Sequence, residues 1–399
     1  MRRIYMDANA TTPLLPEVFE AMRPFFLEQF GNASSIHQQG QQARAAVEHA
    51  RDQVAELIGS RASEVVFTSG GTESDNLALF GMLKAGDRLI TTRIEHHAVL
   101  HAAEQLQRLG VEVLWLGCDA RSVVSVEALK SALQTPRADA SKPPTTLVSV
   151  MMANNETGVL QDIAAMAALA REHGALFHTD AVQAAGKIFI DVKALGVDLL
   201  SIAGHKMHAP QGIGALFVRR GVKLAPQLFG GSHERQRRAG TENLAGIVGF
   251  GVAAAMARDW LQGGGPEKLS RLRDRLEQGI LAQVEETGVN GELGGELAAR
   301  VCNTTNLWFD HVEGEALVIA LDLKGLAVSG GSACASGATE PSHVLLAMGL
   351  SDHRARASVR FSLSKLNTES EIDAALELVP AAVARLRELS PVFAGAPTS

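Results

Sequence analysis

The chain has 399 residues, of which 46% are hydrophobic and 20% are charged. This composition is typical of a globular protein and excludes an intrinsically disordered one. The 44 acidic residues outnumber the 37 basic residues and give a net charge of −7. An excess of positive charge that would neutralise phosphates is therefore absent, which argues against a general nucleic-acid-binding protein. Its three cysteines, Cys118, Cys302 and Cys334, are too few and too far apart for a disulfide framework or a Cys-rich metal cluster.

The N-terminus and the hydropathy pattern predict where the protein works. The segment 1–7 reaches an acidic residue without the apolar core of a signal peptide. We find no uninterrupted apolar run of about 18 residues, so no membrane span is predicted. We therefore expect a cytoplasmic protein in a reducing compartment, without a membrane or nucleic-acid partner.

Short apolar runs alternate with longer helical patterns through the first two thirds of the chain. The runs predict strands at 65–68, 88–91, 111–115, 147–150, 175–178, 199–202 and 214–218. Apolar positions every three or four residues predict helices at 41–58, 97–109, 162–173 and 244–261. This alternation indicates an α/β fold with a mostly parallel sheet.

The segment 262–266, Gln-Gly-Gly-Gly-Pro, is the clearest break in the pattern. A helix at 267–287 and shorter elements follow it, and they predict a second, smaller α+β domain that begins near residue 262.

A glycine turn follows the first predicted strand. Gly70, Gly71 and Thr72 connect that strand to a helix. Free N–H groups at a helix start favour anions, and glycine allows a phosphate to approach closely. An ordinary capped turn, with Ser69 or Thr72 as the cap, is the alternative.

Two charged residues follow later strands. Asp180 follows the strand at 175–178, and Lys206 follows the strand at 199–202. Ligand sites of open α/β sheets lie at the carboxyl ends of strands, and a lysine there can form a Schiff base if its pKa is lowered. A surface aspartate and a solvated lysine are the alternatives.

Cys334 lies in a run of small residues, Gly-Gly-Ser-Ala-Cys-Ala-Ser-Gly. Buried structural cysteines usually have large apolar neighbours, so this run favours an accessible thiol, although a loop with an incidental cysteine would look the same. A phosphate turn, a strand-end aspartate, a later lysine and a distal loop cysteine together match pyridoxal-phosphate (PLP) chemistry.

Motifs along nearly the whole chain resemble the cysteine desulfurases, which are class V aminotransferase-like enzymes of PLP fold type I. They lie at 5–13, 31–37, 68–74, 95–99, 154–158, 204–206, 237–243, 332–334 and 359–362. The resemblance implies a large PLP-binding domain at 15–261 with a mostly parallel seven-stranded sheet flanked by helices. It implies a smaller α+β domain, formed by 1–14 and 262–399, that carries the cysteine loop. The 237–243 string and the ending at 389–391 look most like the nitrogen-fixation type.

The resemblance also implies roles for single residues. Cys334, Lys206 and His96 would be catalytic, with Lys206 forming the Schiff base and His96 stacking on the ring. The residues implied to bind the cofactor are Gly71, Thr72, Asn155, Asp180, Gln183, His205 and Thr241, with Thr241 reaching the cofactor of a partner subunit. Asn32 and Arg360 would hold the substrate carboxylate, for which a bidentate arginine is suited.

The sequence departs from the family pattern near the lysine. Ala203 stands where the family usually has a serine that binds the phosphate. Ser201 shares its side of the strand only if the strand continues to residue 203, so whether it compensates is open. Ala33 and His97 also differ from the usual proline and lysine.

The resemblance implies that L-cysteine is converted to L-alanine with a persulfide on Cys334. A homodimer would pass the sulfur to an iron–sulfur scaffold protein or another acceptor, and Cys334 would be a transient iron–sulfur ligand. A selenocysteine lyase or another class V PLP enzyme is the close alternative. A metal-binding or scaffold protein is another, since His97 and His101 lie four residues apart. A Cys–His hydrolase would leave Lys206 without a role.

Overall fold

The computed structural model describes residues 3–136, 145–291, 300–330 and 340–389. In chain order the strands are β1 (Ile4–Tyr5), β2 (Val65–Thr68), β3 (Arg88–Thr92), β4 (Glu112–Leu116), β5 (Thr146–Ser149), β6 (Leu176–Asp180), β7 (Leu199–Ala203), β8 (Gly214–Val218), β9 (Thr287–Val289), β10 (Thr304–Phe309), β11 (Leu326–Ala327), β12 (Ser329–Gly330) and β13 (Ser358–Ser362).

The α-helices of the described residues connect and cover these strands. They are α1 (Pro16–Leu27), α2 (Gln38–Leu57), α3 (Gly71–Met82), α4 (His97–Arg108), α5 (Val126–Gln134), α6 (Ile163–Glu172), α7 (Val192–Leu195), α8 (Leu244–Gln262), α9 (Gly265–Gln283), α10 (Gly314–Leu323), α11 (His343–Ala347), α12 (Asp352–Arg356) and α13 (Glu369–Leu389).

A seven-stranded sheet forms the centre of the larger part, in the order β2-β8-β7-β6-β5-β3-β4. Strand β8 is antiparallel to both of its neighbours, and the other pairs are parallel. Apolar clusters cover both faces of the sheet, as buried parallel strands require. The predicted α/β class and mostly parallel sheet are confirmed.

The predicted element bounds differ from the structure mainly at helix ends. Helix α2 begins at Gln38, where the side chain of His37 accepts a hydrogen bond from Gly40 N, so this cap extends the helix ahead of its apolar pattern. The helix predicted at 267–287 ends at Gln283, because Val284 is extended and β9 begins at Thr287.

Helix α8 is, by length and composition alone, apolar enough to cross a membrane. In the fold it is a core helix that packs against α1 and α2. A Cβ atom placed on Gly251 would lie 2.6 Å from Ala50 Cα in α2, so the glycine allows the two backbones to approach. Its apolar residues are therefore explained by burial against other helices.

A second unit is built on the antiparallel sheet β12-β13-β10-β9 and the parallel pair β1-β11. Its apolar cluster includes Ile4 and Met6 from the N-terminal segment, together with residues of α9, α10 and α13. Val344 and Leu345 in α11 belong to the cluster of the large sheet instead. The division at residues 14 and 262 stays a prediction.

Candidate active site

The predicted site residues gather at the carboxyl edge of the large sheet. Asp180 is the last residue of β6, and Lys206 follows β7 after a short 3₁₀ turn. Gly71 begins α3 after β2, His96 follows β3, and Asn155 follows β5. Because the carboxyl ends of parallel strands share one edge, the sheet brings together side chains that are far apart in sequence.

The Lys206 amine lies against the N-terminal segment of the chain. Its Nζ donates to the backbone oxygen of Asn9 and, at 2.8 Å, to that of Ala10. Gln183 Nε2 donates to the same Asn9 oxygen at 3.0 Å. The Asn9 carbonyl therefore binds both Lys206 and Gln183, two of the side chains that the sequence analysis predicted at the site.

Asp180 is a buried carboxylate at the centre of this edge. Its Oδ1 accepts a hydrogen bond from Val182 N at 2.8 Å. Burial raises the pKa of Asp180 to about 6, while this hydrogen bond and the charge of Lys206 act to lower it. Asp75 is also buried close by, and burial together with the charge of Asp180 raises its pKa well above the ordinary value. Negative charge is therefore favoured on Asp180 rather than on Asp75.

A buried histidine, His178, precedes Asp180 by two residues in β6, so both side chains are on the same face of the strand. His178 Nδ1 contacts Ser149 Oγ at 2.8 Å, and its Nε2 contacts Ser201 Oγ at 3.0 Å. Burial lowers the pKa of His178 to about 3, so the ring is neutral. Strand β7 does continue to Ala203, but the hydroxyl of Ser201 is bonded to His178. It does not replace the hydroxyl missing at residue 203.

The glycine turn before α3 leaves its backbone uncovered by a side chain of its own, and we call this concave turn the cradle. A Cβ atom on Gly71 would lie 2.7 Å from Val182 Cγ2 and 3.7 Å from the Cβ of Ala203. Glu73 Oε2 accepts from Ser69 N at 2.8 Å and fixes the turn. The first N–H groups of α3 have no partners within the helix, so the turn fits an anionic group that approaches the backbone closely.

Two neutral histidines face the lysine. His96 caps α4, since its Nδ1 accepts from Ala98 N at 3.1 Å, which places the ring proton on Nε2. His205 Nδ1 contacts Thr11 Oγ1 at 3.2 Å. Burial, followed by the charge of Lys206, lowers the pKa of each histidine to about 4. Both rings are therefore uncharged near neutral pH.

Arg360 lies in the middle of β13 and reaches the same edge. Its Nη2 donates to Asp7 Oδ1 and its Nη1 to Asn155 O, both at 2.9 Å. Arg360 Nε and Asn155 Oδ1 are buried, and neither has a hydrogen-bond partner within the described residues. Unsatisfied buried polar atoms are costly, so a donor and an acceptor here are open to a ligand.

The remaining predicted residues make no described contact with Lys206, Asp180 or Arg360. Asn32 Oδ1 accepts from Ser34 N at 2.8 Å in the loop before α2, and no described contact joins it to Arg360. Thr72 is exposed at the start of α3, and Thr241 is exposed on the segment after the 3₁₀ turn His233–Gln236. Cys334 lies outside the described residues.

The metal alternative receives no support from the residues that the structure describes. No group of three or more His, Cys, Asp or Glu in them could hold a metal ion. Glu234, which follows His233, forms a buried ion pair with Arg51, with Oε2 and Nη1 2.6 Å apart.

Comparisons with known proteins agree with this geometry. The aminotransferase class-V family profile matches residues 4–375. A protein named cysteine desulfurase from Gluconacetobacter diazotrophicus is 46% identical over 99% of this chain and 97% of its own length. The chain belongs to the class-V aminotransferase family and, within it, to the cysteine desulfurases.

Solved structures of this family share the fold. A NifS-like protein from Rickettsia africae ESF-5 is 33% identical with a TM-score of 0.85, over 97% of this chain and all of its own. A structure titled "SspA in complex with cysteine" is 32% identical with a TM-score of 0.76, over 92% of this chain and all of its own. The fold is therefore that of PLP-dependent enzymes of fold type I, and membership of the family implies PLP as the cofactor.

The tertiary structure adds two residues that the sequence reasoning missed in this cysteine desulfurase. Asn9 contacts Lys206, Gln183 and Asn155, and Lys187 contacts Asn9 and Gln183. Lys187 lies four residues after Gln183, but the turns after β6 are not helical and Gly186 has a positive φ, so helical spacing does not predict their contact. No sequence signal predicted the contacts of Asn9, because its partners are distant in the chain.

Proposed function

We propose that the protein is a PLP-dependent sulfurtransferase that removes sulfur from L-cysteine. The thiolate of Cys334 attacks the sulfur of the substrate, and the substrate bond between Cβ and sulfur breaks. The electron pair left on Cβ takes up a proton, so the products are L-alanine and a persulfide on Cys334. The observation that carries the proposal is the convergence of Lys206, Asp180 and the Gly71 turn at one edge of the sheet.

The residues at this edge fit PLP. The Gly71 turn would take the phosphate, with Thr72 and His205 beside it. Lys206 would hold the aldehyde carbon, Asp180 the pyridine nitrogen, and Asn155 and Gln183 the ring oxygen. When bound, PLP supplies an electron sink for carbanion chemistry.

The protein supplies the charges and the movable protons. Asp180 is buried, and a carboxylate there would keep a proton on the pyridine nitrogen by its charge. The amine of Lys206 lies at the edge where PLP and substrate would bind, and its Nζ would take the Cα proton. His96 is neutral with its proton on Nε2, so it can stack on an aromatic ring without adding positive charge.

Arg360 is the proposed site for the substrate carboxylate. Its buried Nε lacks a partner among the described residues, and Asp7 and Asn155 hold the rest of the guanidinium in place. An anion at this position would satisfy that donor. Asn32, proposed as the second carboxylate ligand, would need to be brought closer by substrate or by a second subunit.

We propose that the protein works as a homodimer. A groove of about 670 Å³ lies between residues 33–34 and 232–242, and neighbouring large apolar residues are exposed, including Phe30 (65%), Ile36 (92%) and Phe229 (86%). Exposed apolar residues of this size are typical of interaction surfaces. A second copy would cover them, and the family resemblance implies that Thr241 of one copy then reaches the cofactor phosphate of the other.

Cys334 is proposed to deliver the sulfur. The small residues around it suit a segment that must carry a persulfide to an acceptor. We propose an iron–sulfur scaffold protein as that acceptor, with Cys334 as a transient iron–sulfur ligand during transfer. A cytoplasmic location and a role in nitrogen fixation remain predictions.

The test is turnover of L-cysteine by the purified PLP-loaded protein. We expect equal amounts of L-alanine and transferable sulfur, and a mass increase of one sulfur atom on the peptide that contains Cys334. Cys334→Ala should retain the visible absorption of bound PLP but form no persulfide and release no alanine from cysteine.

The controls separate chemistry from folding. Lys206→Ala should keep the unfolding temperature of the cofactor-free protein while losing the visible absorption of covalently bound PLP. Normal alanine release by Cys334→Ala would disprove the persulfide step. If that variant processed selenocysteine but not cysteine, the thiol would be needed only for sulfur, whereas equal turnover of both would favour the lyase alternative.

A further inference from the structure

Lys187 is a buried lysine next to the proposed cofactor site. Its Nζ donates to Gln183 Oε1 at 2.7 Å and to Asn9 Oδ1 at 3.0 Å. Successive turns follow β6, in which Lys187 N donates to Ala184 O and Gly186 has a positive φ of 74°, and they bring the side chains of residues 183 and 187 together. The contact is therefore determined by local backbone geometry.

The surroundings of Lys187 contain neutral acceptors rather than an acid. The described residues show no ion pair for its amine, and both of its hydrogen-bond partners are amide oxygens. Burial lowers the pKa of Lys187 to about 7. Burying a lysine without an ionic partner costs free energy. Its two hydrogen bonds to neutral amides do not neutralise its charge, so we looked for another role for them.

The partners of Lys187 determine the direction of each hydrogen bond. Asn9 Nδ2 donates to Asn155 O at 3.1 Å and to Thr304 Oγ1 at 2.9 Å, so Asn9 Oδ1 is the end that faces Lys187. Gln183 Nε2 donates to the Asn9 backbone oxygen, which can only accept. The amine must therefore donate to Gln183 Oε1.

A glutamine amide has two ends of nearly equal shape but opposite hydrogen-bonding character. Oε1 is held by Lys187, and Nε2 donates to the Asn9 oxygen that also accepts from Lys206 Nζ. The nitrogen end is therefore on the side of Lys206, and its second N–H is the group that would meet a ligand there. If the amide were reversed, its carbonyl oxygen would face an electron-rich ligand oxygen and repel it. The direction of the amide thus decides which ligand oxygen the site accepts.

We propose that Lys187 is a positioning residue that holds the Gln183 amide with its N–H, rather than its carbonyl, toward the electron-rich ring oxygen of the cofactor. The inference rests on the proposed function, because it needs PLP to be bound at this edge. It assigns to Lys187 a role in setting the electronic state of the cofactor, without contact to the substrate.

The test uses the holoenzyme and the pH titration of the visible absorption of bound PLP. Lys187→Met keeps the length of the side chain but cannot donate, so the Asn9 carbonyl alone holds the Gln183 amide and the N–H can move away from the ring oxygen. With the Gln183 donor to its ring oxygen lost, the protonated form of the bound cofactor should persist to higher pH. We expect the midpoint to rise by about one pH unit, the size of one lost hydrogen bond to a charged group.

Three further variants distinguish positioning from general support. Lys193 is an exposed lysine in α7, and Lys193→Met should titrate like the wild type. Lys187→Arg retains a donor and should bring the midpoint back toward the wild-type value. Gln183→Glu has acceptors at both ends, so it should reproduce the shift while Lys187 is still present.

The double variant Lys187→Met/Gln183→Glu should shift no further than Gln183→Glu alone, because both changes remove the same donor. A folded Lys187→Met protein with a wild-type midpoint would overturn the proposal, even if its melting temperature fell. If Lys187→Met does not fold, an unchanged midpoint in Gln183→Glu overturns it equally. If the wild-type protein develops no visible band with PLP, the proposed function fails instead.

Discussion

The missing hydroxyl at residue 203 leads to a prediction about cofactor affinity. Ala203 is buried at the end of β7, and its Cβ lies 3.7 Å from the position that a Cβ on Gly71 would occupy. Its side chain therefore points into the cradle proposed for the phosphate. Because the hydroxyl of Ser201 is bonded to His178, Ala203→Ser would add a donor that the cradle lacks.

The size of the effect follows from the charge of the ligand. A hydrogen bond to a charged group contributes roughly 1.5–3 kcal/mol, and each 1.4 kcal/mol is about tenfold in affinity. Orientation of the buried hydroxyl costs part of this gain. We therefore expect Ala203→Ser to bind PLP about tenfold more tightly, with a smaller dissociation rate.

The assay is equilibrium binding of PLP to the cofactor-free protein, followed by its visible absorption. Pyridoxal, which lacks the phosphate, is the matched control ligand, and its affinity should be the same in both proteins. An equal gain for PLP and pyridoxal, or no gain for PLP, would refute the assignment of Ala203 to the phosphate cradle.

Three other changes test the surrounding structure. Burial raises the pKa of Glu95 to about 8, so the folded protein holds a proton that the unfolded chain loses above about pH 4.5. The free energy of unfolding should fall by up to about 1.4 kcal/mol per pH unit between these values, and Glu95→Gln should remove this contribution in denaturant titrations. Glu234→Ala leaves the buried guanidinium of Arg51 with only the half-exposed Glu48 as an ionic partner and should cost about 3 kcal/mol of unfolding free energy. Gly71→Ala brings a Cβ to 2.7 Å from Val182 Cγ2 and should weaken PLP binding at least about tenfold.

Matched controls accompany the last two changes. Glu20 forms an exposed pair with Arg23, so Glu20→Ala should cost less than about 1 kcal/mol. A Cβ atom placed on Gly117 would meet open space, and the φ of this glycine is ordinary, so Gly117→Ala should bind PLP like the wild type. Equal losses from Glu234→Ala and Glu20→Ala, or from the two glycine changes, would contradict the arguments from burial and close approach.

Much of the site could be anticipated from local patterns. Gly71, Asp180 and Lys206 each follow a short apolar run, and strand ends are where an open α/β sheet collects its ligands. The seven strands could be placed within a few residues because their apolar runs are bounded by polar segments. Resemblance to a family then assigned the roles that spacing alone left open.

Long-range contacts could not be anticipated in the same way. Asn9, an N-terminal residue, meets Gln183 and Lys206 because the chain returns to the sheet edge after many residues. Lys187 is buried beside them, although a lysine in a turn is ordinarily exposed. The direction of a side-chain amide depends on such partners, and no periodicity encodes it.

The sequence by itself determined the α/β class, the order of the elements and the chemical types of the residues at the site, since these follow from hydropathy period, turn residues and motifs. Only the tertiary structure decided that the hydroxyl of Ser201 bonds to His178 rather than facing the Gly71 turn. It also decided that Nε of Arg360 has no partner among the described residues, and that Lys187 donates to Gln183. The reason is physical: burial and hydrogen-bond partners arise from residues that the fold brings together, and these set the charge and orientation of each group.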